Sequence, residues 1–126
     1  GLAAELCDKE AADHMEKCLN IKKKFLKSIE GLDYVINGDQ NYCLPSTINI
    51  GFRGVDAEGI FVATKDKYAF SNGSACNSGS HKPSYVLTAM GLDEQRISEA
   101  IRISWDCTTE VDFSALVKYV RDITGI

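Results

Sequence analysis

The spacing of hydrophobic residues changes from helical to strand-like in the first half of the chain. From Leu2 to about Leu32, Met15, Leu19, Leu26 and Ile29 recur at helical spacings among Ala, Glu and Lys. This predicts one long amphipathic helix that ends near Gly31. The segments DYVIN and, just after Pro45, TINIGF are short and rich in β-branched residues. They predict two strands separated by a polar loop.

The second half repeats this change of spacing with shorter elements. Asp56 is placed to cap a helix from Ala57 to about Asp66, and YAFS predicts a brief strand after it. Two short helices are predicted, one after Pro83 and one from about Asp93 to Ala100, followed by the strand IRISW. The last helix has Thr109 as its predicted N-cap and an apolar face formed by Phe113, Leu116, Val117 and Val120.

These elements predict an α/β chain of the α+β kind, with helices packed on a short, mainly antiparallel sheet. The 126 residues, 44% of them apolar, are enough for one domain with its own core, so we treat residues 1–126 as a single domain. The first residue is Gly1, and the helical pattern starts without a cap before it. We therefore expect a piece excised from a longer protein.

Charge and hydropathy narrow the class of function. The net charge is −4, which argues against a nucleic-acid-binding protein. A basic cluster of Lys22, Lys23, Lys24 and Lys27 is interpreted as a solvated helix face rather than a phosphate site. No apolar stretch is long enough to cross a bilayer, and the N-terminus does not resemble a signal peptide. We expect a cytoplasmic protein without a membrane partner.

The chain has five cysteines, an odd number with wide spacings. This favours reduced thiols over a disulfide framework or a CxxC metal site. Cys7, His14 and Cys18 fall on one face of the first helix, but Cys7 is too far along the helix to join the other two, so no metal site is expected. Cys43 and Cys107 receive no role.

One cysteine differs from the others in its surroundings. Cys76 lies in the run SNGSACNSGSHKPS, which starts at Ser71, and its one apolar neighbour is Ala75. Gly, Ser and Asn bury little apolar area and leave the backbone many conformations, so we expect the segment 71–80 to be mobile. An exposed thiol on such a segment is suited to nucleophilic chemistry.

The sequence SNGSACNSGSHKPSYVLTAMGL, followed by EAIRISW, resembles the signature loop and next segment of the cysteine desulfurases. These are pyridoxal-phosphate enzymes of the class V aminotransferase fold. GLAAEL is similar to the start of the helix that leads into their C-terminal small domain, and LPSTINIGF resembles a strand of that domain. The likeness covers nearly the whole chain.

The resemblance implies a reaction and two residue roles. In this family, the loop cysteine attacks the sulfur of cofactor-bound L-cysteine, L-alanine leaves, and the enzyme keeps a persulfide for a sulfur-acceptor protein. Cys76 matches that nucleophile, and Arg102 in IRIS matches the arginine that binds the substrate carboxylate. A homodimer is implied for the full-length enzyme. The acceptor stays open: an iron–sulfur cluster assembly scaffold, a tRNA thiolation relay or a DNA phosphorothioation system.

The chain also departs from the family pattern. Where the family has Gly-Arg-x-Thr after the arginine strand, this chain has Asp106, Cys107, Thr108 and Thr109. It lacks the motif that supplies the cofactor-binding lysine; Lys82 follows the loop and precedes proline, so it is not a substitute. Hence we expect no pyridoxal phosphate on this chain alone and no activity without a larger cofactor-binding domain.

Three further interpretations remain. His81 lies five residues from Cys76 and is expected to be solvent-exposed rather than a base for the thiol. A stand-alone persulfide carrier without cofactor is one alternative function for the chain. A non-catalytic interaction module, in which the loop is only a linker, is the other.

Overall fold

The computed structural model describes residues 1–71, 83–110 and 112–126. Within these ranges the chain forms five α-helices and three β-strands. In chain order they are α1 (Leu2–Ser28), β1 (Tyr34–Asn37), β2 (Thr47–Phe52), α2 (Ala57–Thr64), α3 (Tyr85–Ala89), α4 (Glu94–Ser98), β3 (Ala100–Ser104) and α5 (Ser114–Thr124), with a short 3₁₀ helix at Gln40–Tyr42. The α+β class predicted from the sequence is confirmed.

The sheet is antiparallel, in the order β1-β2-β3. Isoleucines at alternate positions of β2 and β3 are buried, whereas Asn49 is half-buried and Arg102 is exposed. Successive side chains of a strand point to opposite faces. One face of the sheet therefore lies against the core, and the opposite face carries polar side chains.

Aromatic rings join α1 to the C-terminal part of the chain. Phe25 is fully buried, and its ring centroid lies 4.8 Å from that of Phe113 and 6.4 Å from that of Trp105. The Trp105 Nε1 donates a hydrogen bond of 3.1 Å to the carbonyl oxygen of Cys18. Every residue from 1 to 17 is exposed, so α1 packs on the core only through its C-terminal part.

The first two helix termini agree with the sequence. α1 ends at Ser28, and Gly31 in the following turn has φ +86°, a conformation that glycine adopts without steric cost. At the start of α2, a carboxylate oxygen of Asp56 accepts hydrogen bonds from the amides of Glu58 (3.0 Å) and Gly59 (3.3 Å). Asp56 is therefore the predicted N-cap.

Two predictions about local structure are wrong. YAFS forms no strand; of this segment only Ser71 pairs with the sheet, through a single bridge to Arg102. Thr109 does not cap α5, because its hydroxyl accepts from the Asp106 amide at 3.0 Å and belongs to an earlier turn. The Asp112 carboxylate instead accepts from the amide (2.9 Å) and hydroxyl (2.8 Å) of Ser114.

Candidate functional site

A row of polar residues crosses the sheet on the face away from the core. Asn37 in β1 is opposite Asn49 in β2, Asn49 is opposite Arg102 in β3, and Arg102 is opposite Ser71. Residues directly opposite each other in antiparallel strands share a face and lie close together. We call these four residues the polar row.

Arg102 is the charged member of the polar row. Its backbone exchanges two hydrogen bonds with Ser71, of 3.2 Å and 2.6 Å, which fixes the direction of the side chain. The guanidinium is exposed and reaches the Ser71 hydroxyl at 3.5 Å. A planar group with several N–H donors, held on a strand and open to solvent, is suited to bind a carboxylate.

Hydrogen bonds connect the other end of the polar row to α4. The Arg96 Nε donates to Asn37 Oδ1 at 3.1 Å, and the Asn37 Nδ2 donates to Asn49 Oδ1 at 2.7 Å. Asn37 is buried, with 6% of its surface exposed. Sequence reasoning missed Asn37, Asn49 and Arg96, although Asn49 follows the strand alternation that places it on the same face as Arg102.

The residues on either side of the segment that contains Cys76 form hydrogen bonds with the rest of the fold. Ser71 at one end is paired with Arg102. At the other end, Ser84 caps α3, because its hydroxyl accepts from the Leu87 amide at 3.4 Å. Cys76, His81 and Lys82 lie outside the described residues, and so does the predicted mobile segment apart from Ser71.

The remaining cysteines differ in exposure. Cys18 is buried, and burial raises the pKa of its thiol, which keeps it protonated. Cys7 and Cys43 are exposed, and Cys107 is half-buried. Exposure alone therefore does not single out one reactive thiol among the described cysteines.

The interpretation of the lysine cluster needs one correction. Lys23, Lys24 and Lys27 are exposed as expected, but only 8% of Lys22 is exposed. Its Nζ donates to Gln40 Oε1 at 2.8 Å and to Cys43 Sγ at 3.2 Å. Lys22 thus attaches the loop after β1 to α1 and does not belong to a solvated face.

The described residues contain neither a metal site nor a cavity at Arg102. His14 is exposed beside Glu10 at 3.5 Å while Cys18 is buried, so the two do not share a site. Within the described ranges, no group of three or more His, Cys, Asp or Glu side chains could hold a metal ion. Two surface cavities, of about 620 and 500 Å³, are lined by other residues, and Arg102 borders neither.

Comparison with known proteins finds sequence relatives that share one description. Over 119 residues the chain is 38% identical to the cysteine desulfurase IscS of Neisseria gonorrhoeae, covering 91% of this chain and 29% of that protein. It is 35% identical over 127 residues to IscS of Escherichia coli, covering 99% and 31%. The chain is homologous to part of the cysteine desulfurases. It spans about a third of the length of these relatives, and no family model matches it.

A solved structure supports the same fold. The NifS-like protein from Rickettsia africae superposes on all of this chain, and on 33% of its own, with a TM-score of 0.77 at 24% sequence identity. At that identity the likeness is evidence for the fold alone. The fold of this chain therefore agrees with its sequence similarity to the cysteine desulfurases.

The family uses pyridoxal phosphate, which is held through a lysine, and the described residues do not fit that role. Lys22 is the one buried lysine among them, and its Nζ is bound to Gln40 and Cys43. All other described lysines are exposed. No described lysine therefore occupies an enclosed position from which it could hold the cofactor.

The turn after β3, where the sequence departs from the family, has its own bonding pattern. Asp106 Oδ1 accepts from the Thr108 amide and hydroxyl, each at 2.7 Å, and from the Thr109 hydroxyl at 3.3 Å. The bonds from Thr108 hold the pKa of the Asp106 carboxyl below its usual value. This turn is closed by a carboxylate and two hydroxyls.

Arg102 has no carboxylate partner comparable to those in this turn among the described residues. Among the described residues, no carboxylate forms a salt bridge with its guanidinium. An arginine without a protein counter-ion is free to bind an anionic ligand. The polar row is therefore the candidate functional site.

Proposed function

We propose that this chain is the C-terminal small domain of a cysteine desulfurase that removes sulfur from L-cysteine. The observation that carries the proposal is Arg102, exposed on β3 and paired through its backbone with Ser71, where the Cys76 segment begins. Sequence similarity to the cysteine desulfurases suggests the reaction. Arg102 binds the α-carboxylate of the substrate through two charge-assisted hydrogen bonds.

Cys76 is the proposed sulfur acceptor. Its thiolate attacks the sulfur of cysteine; an S–S bond forms as the C–S bond breaks, and the electron pair stays with the carbon, which takes up a proton. The products are L-alanine and a persulfide on Cys76, so no external oxidant is needed. Cys76 is the fifth residue after Ser71, and five residues of extended chain span at most about 17 Å.

The rest of the enzyme has to supply what this chain does not. We propose that a larger domain outside this chain holds pyridoxal phosphate, which would stabilise the charge that develops on the substrate carbon. The complete enzyme is proposed to be a cytoplasmic homodimer that passes its persulfide sulfur to an acceptor protein. Within the described residues, no helix is long and apolar enough to cross a membrane.

The test of this proposal is the Cys76→Ser variant of the full-length enzyme. A hydroxyl cannot take up sulfur, so L-alanine release from L-cysteine should fall to the background rate while the cofactor absorbance stays unchanged. Mass spectrometry after a single turnover should find the added sulfur on Cys76 in the unmodified enzyme.

Cys43→Ser is the matched control, because Cys43 is an exposed thiol outside the proposed site and should not be needed for turnover. Full turnover by Cys76→Ser, or a persulfide found on another cysteine, would overturn the proposal. Persulfide that this chain accepts from a donor without any cofactor would favour the stand-alone carrier instead.

A further inference from the structure

The hydrogen bonds of the polar row determine which way each of its amides faces. A guanidinium only donates, so the bond from Arg96 Nε requires Oδ1 of Asn37 to face Arg96. The Nδ2 of Asn37 is then turned to Asn49 and donates to its Oδ1 at 2.7 Å. Arg96 thus fixes the orientation of both amides in succession.

This orientation leaves the Nδ2 of Asn49 as a donor on the side away from Asn37. That side faces β3, where Arg102 is the residue directly opposite Asn49. Among the hydrogen bonds of the described residues, none joins Asn49 Nδ2 to an acceptor. The Asn49 Nδ2 and the Arg102 guanidinium are both donors and cannot bond to each other. One acceptor placed between them can accept a hydrogen bond from both.

We infer that Asn49 is a second binding residue for the substrate carboxylate, which donates an N–H to the anion that Arg102 holds. Arg96 and Asn37 are positioning residues, because they act by keeping the donor side of Asn49 toward that anion. The inference rests on the proposed function of Arg102. Asn49 adds a neutral N–H donor to the site. A carboxylate accepts a hydrogen bond from this donor, whereas a protonated amine cannot.

The ligand chemistry gives a direct test in the full-length enzyme. L-Alanine carries the carboxylate without the reactive thiol, and ethylamine is its analogue without the carboxylate. Titration calorimetry measures the dissociation constant of each. Asn49→Asp puts a negative charge beside Arg102, so the constant for L-alanine should rise at least about tenfold, the effect of losing one hydrogen bond to a charged group. Binding of ethylamine should not weaken.

Asn37→Asp tests the positioning role at equal side-chain size. Aspartate still accepts from Arg96 but cannot donate to Asn49 Oδ1, so it accepts from Asn49 Nδ2 and turns that amide round. L-Alanine binding should weaken roughly three- to tenfold, less than a full bond to a charged group. Asn37 is buried; if this variant does not fold, Arg96→Met removes the same constraint from a half-buried position, and Arg96→Lys, which again only donates, should restore binding.

The control on the same face is Ser104→Ala. The Ser104 hydroxyl lies 3.1 Å from that of Thr47 and belongs outside the polar row. The dissociation constant of this variant for L-alanine should stay within about twofold of the value for the unmodified enzyme, because surface substitutions have small effects. If Arg102→Lys weakens L-alanine binding but the Asn49 and Asn37 variants do not, the inference is wrong and the proposed function stands. If those variants weaken both ligands equally, their role is structural and the inference is also wrong. If Arg102→Lys has no effect, the proposed carboxylate site itself fails.

Discussion

At the scale of single residues, Arg102 is the charged member of the candidate site. It is exposed, its backbone is paired with Ser71, and its guanidinium forms no salt bridge with a described carboxylate. Family resemblance selected this arginine, and the sheet register explains why its side chain faces away from the core. Cys76 lies outside the described residues, so its role stays a prediction.

Arg102→Lys in the full-length enzyme should weaken the use of L-cysteine far more than it weakens folding. Lysine loses the two-pronged contact with the carboxylate, and one hydrogen bond to a charged group is about 1.5 to 3 kcal/mol, which corresponds to roughly a ten- to hundredfold lower kcat/KM. Steady-state kinetics at limiting cysteine measure this effect. Arg53→Lys, at an exposed arginine beside Asp33, is the matched control, and an equal loss there would argue against a specific role for Arg102.

The turn after β3 gives a pH prediction. Thr108 donates two hydrogen bonds to the Asp106 carboxylate, which lowers its pKa. A carboxyl with a lower pKa in the folded state stabilises that state above its unfolded pKa, and this stabilisation is lost as the pH falls through the folded pKa. Thr108→Ala should therefore raise the pKa of Asp106 and make the acid loss of stability smaller.

Carbon-13 NMR titration of the Asp106 carboxyl measures this pKa. Asp112 is an internal control, since bonds from Ser114 lower its pKa independently of Thr108. Its titration should be unchanged in the variant. An unchanged pKa of Asp106 would show that the Thr108 hydroxyl is not part of the cause.

At the scale of elements, local signals in the sequence worked where one residue had no competitor. Asp56 is followed directly by helix-forming residues and caps α2 as predicted. Thr109 failed as a cap because Asp106 and Asp112, three residues away on either side, divide the available donors between two separate turns. Sequence spacing alone does not show which of several neighbouring polar side chains accepts the hydrogen bonds at the start of a helix.

The cap of α2 is testable by Asp56→Ala. The two amides of the first turn, from Glu58 and Gly59, would lose their acceptor, and loss of an N-cap costs about 1 kcal/mol of stability. Denaturant unfolding should show that decrease. Asp56→Ser keeps a capping oxygen and should recover most of it; if serine is no better than alanine, the capping account of Asp56 is incorrect.

The polar row could not be predicted from local pattern, because it joins four segments distant in sequence. Its members belong to β1, β2, β3 and the start of the segment after Phe70. Alternation in TINIGF predicts that Asn49 lies opposite to the core-facing isoleucines, but the partner of Asn49 depends on strand register, which is set by tertiary packing. The same reason explains why the buried contact of Lys22 with Gln40 and Cys43 was missed.

At the scale of the whole molecule, one core holds the sheet, α1, α2 and α5 together, and the polar face is the opposite side of the same sheet. Burial of alternate residues thus fixes the direction of Arg102 without any contact to Arg102 itself. The fold class and most elements could be predicted because the alternation of apolar and polar residues is visible in the sequence. The segment with Cys76 carries no such pattern, so its position has no equivalent prediction.

Phe25 is the residue on which the packing of α1 against the C-terminal part depends. It is fully buried between Trp105 and Phe113, so Phe25→Ala should cost about 3 to 5 kcal/mol of the free energy of unfolding. Leu19→Ala, on the same helix with 43% of the residue exposed, should cost less than about 1 kcal/mol, because surface substitutions have small effects. Denaturant unfolding of the two variants measures the difference.

The alkylation rate of Cys18 measures how Phe25 affects the opening of the core under native conditions. Its thiol is buried, and its backbone carbonyl accepts the hydrogen bond from Trp105, so alkylation requires the core to open. When opening is fast relative to labelling, the rate follows the equilibrium population of the open form, and Phe25→Ala should raise it on the order of a hundredfold or more. Exposed Cys7 and Cys43 should label at the same rate in both forms. Rapid labelling of Cys18 in the unmodified chain would show that α1 does not pack on this core in solution.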